Sequence, residues 1–113
     1  MEVVNLTPHM VNLVIDGDVV ASLPSAGVAR ADQTDKVVGS LELNGSTIAV
    51  VETVFGEVVD LPEPTEGVSF VVSFITANAA RGQGRSTTDL LVTSGPVRDD
   101  QGRIIGCTRL ARV

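Results

Sequence analysis

The 113-residue chain has no tryptophan, no tyrosine, three phenylalanines, one cysteine and one histidine. These shortages exclude several kinds of function. Nucleic-acid binding by base stacking needs aromatic platforms, and the sequence has almost none to offer. Cys107, being alone, can form no internal disulfide, and no multi-cysteine zinc site can be built around it. No apolar run approaches the roughly 20 residues that span a bilayer. Residues 1–20 carry Glu2, Asp16 and Asp18 without a basic start, so no secretory signal is read there. The expected setting is therefore a reducing cytoplasm, bacterial or that of an infected host. In that setting the sequons at Asn5-Leu6-Thr7 and Asn44-Gly45-Ser46 have no consequence.

Valine is plentiful, with 20 copies in a chain that is 43% hydrophobic. Its branched β-carbon restricts χ1 and packs well on a pleated surface, so the bias favours sheet over helix. The length suits a single domain over 1–113, because a division would leave neither half a workable core.

The net charge of −6 is unevenly placed. Residues 1–80 hold eleven acids against Arg30 and Lys36, giving −9. Residues 81–113 hold six arginines against Asp89, Asp99 and Asp100, giving +3. Such asymmetry fits either a charged partner or mutual neutralisation across one fold.

Three turns mark hairpins. Asp16-Gly17 and Asn44-Gly45 are two-residue type I′ signals between apolar-rich runs. Asp99-Asp100-Gln101-Gly102 fits a type I turn closed by a left-handed glycine. The second turn pairs Leu41 with Ile48 and Gly39 with Val50 on one face, and Glu42 with Thr47 and Ser40 with Ala49 on the other. One face is apolar and one mostly polar, the pattern of a half-buried antiparallel pair.

The remaining reading is coarse. Val3–Leu6 is a short strand interrupted by Pro8, and Val11–Leu23 is the first hairpin. A strand near Val28–Asp32 precedes a hairpin at Val37–Phe55, with Gly56 permitting a bend before Val58–Leu61. Pro62 and Pro64 make a loop. Val68–Ser73 is a buried strand. Residues 75–81 form the one helix candidate, capped by Ser73 and ended by Gly82. Asp89–Thr93 is a strand, Ser94-Gly95-Pro96 turns, and Val97–Leu110 is the last hairpin. The expected class is mainly β (α+β), a small antiparallel barrel or sandwich of hairpins with one short helix.

The segment from Arg81 to Asp89 is the most suggestive for chemistry. Its glycines admit close backbone approach, its hydroxyls donate, and its arginines suit phosphate. It lacks the spacing and lysine of a P-loop and follows a helix instead of opening one. In the last hairpin a four-residue loop places Arg98 opposite Arg103, a mildly unfavourable pairing of like charges. The arginines of this hairpin either meet a phosphate or, the stronger reading, pair with the acids of residues 1–80. Arg81, Arg85, Ser86, Thr87, Arg98 and Arg103 are the candidate ligand contacts. Cys107 reads as a small buried hydrophobe. Glu52, Glu57 and Asp60 lack the dense spacing of a calcium loop.

Asn5-Leu6-Thr7-Pro8-His9, Gly56-Glu57 with Leu61-Pro62-Glu63-Pro64, and the ending from Val97 to Cys107 together resemble an uncharacterised family of small actinobacterial and phage proteins. The resemblance implies a cytoplasmic, phage-linked setting and carries over no catalytic or binding residue.

Two functions follow as expectations. One is non-enzymatic binding of a small anionic ligand, such as a nucleotide-derived signal, in a recess made by the six candidate residues. The other is a structural module that self-assembles or binds a protein partner through a valine-rich face or an exposed strand edge, in keeping with a mean hydropathy of +0.30. A homo-oligomer is compatible with both. A hydrolase using His9 with Asp89 is a third and weaker reading. No cofactor, metal, nucleic acid or membrane is required by any of these residues.

Overall fold

Alternating valines and short turn signals produce eight strands and one helix in the computed structural model, which describes residues 2–113. They run β1 (Glu2–Asn5), β2 (Val11–Ile15), β3 (Asp18–Leu23), β4 (Arg30–Leu43), β5 (Ser46–Val59), β6 (Val68–Val71), α1 (Phe74–Gly82), β7 (Leu90–Arg98) and β8 (Ile104–Ala111). Six strands make one sheet in the order β1-β6-β7-β8-β2-β3, while β4 and β5 pair only with each other. The sheet curls into a nearly closed barrel. Its two edges meet at a bridge between Asn5 and Ser25, where the Ala26 N–H donates to the Asn5 carbonyl at 2.9 Å.

The class is the expected one, but the pairing within it is mixed, not antiparallel. β1–β6, β6–β7 and β2–β8 are parallel, whereas β7–β8 and β2–β3 are antiparallel. Parallel neighbours need a long crossover, and β6-α1-β7 supplies one. Ser73 caps α1, its Oγ accepting from the Thr76 N–H at 3.1 Å.

Strand alternation divides the apolar residues between two cores. Phe70, Val72 and Leu90 pack with Leu6, Ala29, Ala77 and Ala80 beneath the helix. Val71, on the opposite face, packs with Val11 and Cys107 inside the barrel. Cys107 is buried, as expected.

Two expectations about local structure change. Ser94-Gly95-Pro96 does not turn: β7 runs through it, with Gly95 at φ +65°. The β6 partner ends at Leu91, so the N–H that Pro96 lacks removes no bond to that neighbour. At the last hairpin it is Asp99, not Arg98, that faces Arg103, the Asp99 N–H donating to the Arg103 carbonyl at 2.9 Å. Arg98 pairs with Ile104. The feared opposition of like charges becomes an ion pair, with Arg103 Nε 2.9 Å from Asp99 Oδ2.

The largest departure is the long hairpin. The expected strands at 28–32, 37–55 and 58–61 merge into two 14-residue strands with irregular pairing at Ala31/Gln33 and Val37/Gly39. Asn44 and Gly45 take positive φ, and the register is the one read from the turn: Leu41 with Ile48, Gly39 with Val50, Glu42 with Thr47 and Ser40 with Ala49. The expected half-burial is absent, because nearly every residue of β4 and β5 is exposed. The hairpin is an arm. Its projection lifts the radius of gyration to 17.5 Å, against roughly 13 Å for a compact domain of this length.

Candidate interaction site: an exposed arm and an apolar groove

The arm's faces follow from its register. Beyond the irregularity near Val38, Leu41, Leu43, Ile48 and Val50 lie on one face of the tip, and Ser40, Glu42, Thr47 and Ala49 on the other. The polar face is internally bonded, with Thr47 Oγ1 donating to Glu42 Oε1 at 2.6 Å. The apolar face is bare. Its four side chains are exposed at 55%, 55%, 45% and 38%, values typical of surface residues despite their chemistry. A lone two-stranded hairpin is marginally stable in water and needs a surface to pack on.

The root of the arm, by contrast, is held on both legs. Thr76 Oγ1 donates to the Ala29 carbonyl at 3.2 Å just before β4. Gln83 Nε2 donates to the Gly56 carbonyl at 2.9 Å within β5. Helix α1 therefore fixes the direction in which the arm leaves the barrel.

A groove of about 990 Å³ opens where the barrel strands splay, among the ends of β2 and β6, the middle of β7 and the start of β8. It forms because β6 ends at Val71 and β2 shares a single register pair with β8, Leu13 with Cys107. Val11 and Cys107 make a buried floor, while Met10, Phe74, Ile104 and Ile105 are exposed around it. Several polar liners are already engaged within the chain. Thr7 Oγ1 donates to Asn5 Oδ1, Ser73 caps α1, and Ser94 Oγ accepts from Arg109 Nε. The groove thus offers mainly apolar surface.

The six residues chosen from the sequence occupy the two ends of β7. Arg81, Arg85, Ser86 and Thr87 precede it, and Arg98 and Arg103 close it. Nine residues of strand separate the groups by roughly 25 Å along the chain, so the single recess expected for an anion is not formed. The guanidinium groups also have local partners. Arg85 grips Asp89 with two nitrogens at 2.9 and 3.0 Å and donates to the Pro62 carbonyl at 2.7 Å. Arg81 donates to Asn78 Oδ1, Arg98 to the Gly102 carbonyl and Arg103 to Asp99. Arg112, outside the chosen set, donates to the Thr88 carbonyl. The Asp99 carboxyl is held below its ordinary value, chiefly by the N–H of Arg103.

Asn5-Leu6-Thr7-Pro8-His9 has a structural task that composition did not show. Buried Asn5 sits at the barrel seam, its Nδ2 donating to the carbonyls of His9 and Leu23 at 2.8 Å each. Its Oδ1 accepts from the N–H and Oγ1 of Thr7 at 3.0 and 2.6 Å. His9 contributes its carbonyl to this knot, and Asp89, its suggested catalytic partner, is held by Arg85. Among the described residues no three of histidine, cysteine, aspartate and glutamate gather to hold a metal ion. Among the described residues no helix is long and apolar enough to cross a membrane. The comparisons with family models, with known proteins and with solved structures give no match.

Proposed function

We propose that the chain is a structural, self-assembling module that uses its β-hairpin arm to join a second copy. The observation that carries this reading is the apolar face of Leu41, Leu43, Ile48 and Val50, which alternates as a buried strand pair would and has no cover within its own chain. Exposed apolar hairpins of this length are an aggregation hazard unless a partner takes them up. The alternative, an anion site, loses support because its residues stand at opposite ends of β7 and are bonded locally.

Light scattering over a concentration series tests the proposal. The wild-type mass should rise well above that of one chain, and Leu41→Asp with Ile48→Asp should hold it at one chain. A wild-type monomer at millimolar concentration, or a variant that assembles as well as wild type, overturns the reading.

A further inference from the structure

The molecule carries a second uncovered apolar surface, and its chemistry matches the first. We infer that the arm tip of one copy seats in the groove at the splayed end of the next copy's barrel, joining the chains head to tail. This rests on the assembly reading above and names the surface the arm meets.

Three observations favour the groove as the arm's destination. First, no residue of β4 or β5 lines the groove of its own chain, and α1 holds both legs of the arm at its root. The arm is thereby directed to another molecule. Second, at about 990 Å³ the groove lies at the upper end of the roughly 300–1,000 Å³ of small-molecule sites. Of its six polar side chains Thr7, Asn12, Ser73 and Ser94 are bonded within the chain, which leaves the His9 ring and the Thr93 hydroxyl as a sparse set for orienting a ligand. A cluster of aliphatic side chains such as Leu41, Leu43, Ile48 and Val50 is a better chemical match, and exposed Met10 can adapt its shape to them.

Third, the charges agree. The arm over 30–59 holds five acids against Arg30 and Lys36, a balance of −3. Strands β7 and β8, the turn between them and Arg112 hold four arginines, Arg98, Arg103, Arg109 and Arg112, against Asp99 and Asp100, a balance of +2. Arg103 adjoins Ile104 in the groove wall, and Arg109 is bonded to Ser94, which lines it. Arm on groove sets −3 against +2, whereas arm on arm would set −3 against −3. The first arrangement steers copies together and the second repels them. A head-to-tail contact leaves one free arm and one free groove at the ends of every oligomer, so it closes into a ring or extends as a filament.

Complementary variants decide the matter. Leu41→Asp with Ile48→Asp disables the arm and leaves the groove, while Ile104→Asp with Phe74→Ser disables the groove and leaves the arm. All four positions are exposed, so each variant should keep the wild-type circular dichroism and melting temperature. Each alone should weaken association by roughly a hundredfold or more, because a charge must be desolvated on binding. Mixed one to one, they should form a heterodimer and nothing larger, with one functional arm meeting one functional groove. If the groove variant assembles like wild type while the arm variant does not, arm-to-groove docking is overturned and assembly through the arm stands. If the mixture gives no heterodimer, docking is likewise overturned. If the arm variant also assembles normally, both proposals fall.

Discussion

Leu41 and Ile48 stand opposite each other near the tip of the arm, and about half of each residue is exposed. The pair lies outside both hydrophobic cores and presents its apolar face to water. Replacing both with threonine removes little that supports the barrel. The dilute monomer should keep its melting temperature to within about 3 °C, since surface changes rarely exceed 0.5 kcal/mol. Amides of residues 37–51 should exchange rapidly in the dilute wild type and become protected as concentration rises, which hydrogen exchange would follow.

Asn5 should matter far more than an ordinary surface-loop asparagine. Asn5→Ala deletes four hydrogen bonds at a buried seam and strands the partner carbonyls of His9 and Leu23. A loss of about 3 kcal/mol is expected, in the range for buried polar groups left unpaired. Urea denaturation measures it. A loss under 0.5 kcal/mol would mean that the bridge from Asn5 to Ser25 closes the barrel without help from the side chain.

Arg85 is expected to act as a brace. Its two bonds to Asp89 and one to the Pro62 carbonyl tie the proline loop to the start of β7. Arg85→Ala should cost about 2 kcal/mol, and Arg85→Lys should recover only part of it because an ammonium cannot grip a carboxylate with two parallel bonds. Limited proteolysis should find the 61–67 loop cut faster in both variants.

The turn at Asp99 should respond to acid. The folded carboxyl titrates below its ordinary 3.8, held down first by the Arg103 N–H. A depressed acid stabilises the fold above its unfolded pKa, and that contribution fades as pH falls through the lower, folded value. The Asp99 and Arg103 resonances should therefore shift with a midpoint below 3.8, and Asp99→Asn should abolish the transition.

Gly95 and Gly106 should both resist alanine. A methyl at Gly95 would overlap Thr108 Oγ1 on a backbone already at φ +65°, and one at Gly106 would lie 2.9 Å from the Asn12 carbonyl. Overpacking of this kind costs about 1–3 kcal/mol, readable as a lower melting temperature. Gly17→Ala meets no neighbouring atom and provides a control for positive φ alone.

These features were legible in the sequence to different degrees. Asp16-Gly17, Asn44-Gly45 and the Ser73 cap were readable because each turn or cap is decided by a few adjacent residues. The register of the arm's tip, as far as Gly39 and Val50, followed from its turn alone. Its exposure did not, because alternation of Leu41, Ile48 and Val50 marks an apolar face without recording whether the same chain covers it. The parallel partners of β6 and β2 depend on residues far apart in the chain, and no local signal specifies them. Gly95-Pro96 resembles a turn because both residues suit one, and only the end of β6 at Val71 makes them acceptable in a strand. The arginines drew attention as a group, yet their partners, Asp89, Asp99 and several carbonyls, lie four or fewer residues away or across a loop. Asn5 carried no signal beyond its place in the Asn5-Leu6-Thr7-Pro8-His9 motif.

The clamp on the arm has a mechanical consequence. One leg is pinned by Thr76 and the other by Gln83, at opposite ends of the same helix. A hairpin pinned on one leg could swivel like a tether, but two pins make it a strut. Copies joined through such struts would share a fixed angle, so the curvature of the whole assembly would be set by a nine-residue helix whose first residue, Phe74, also lines the receiving groove.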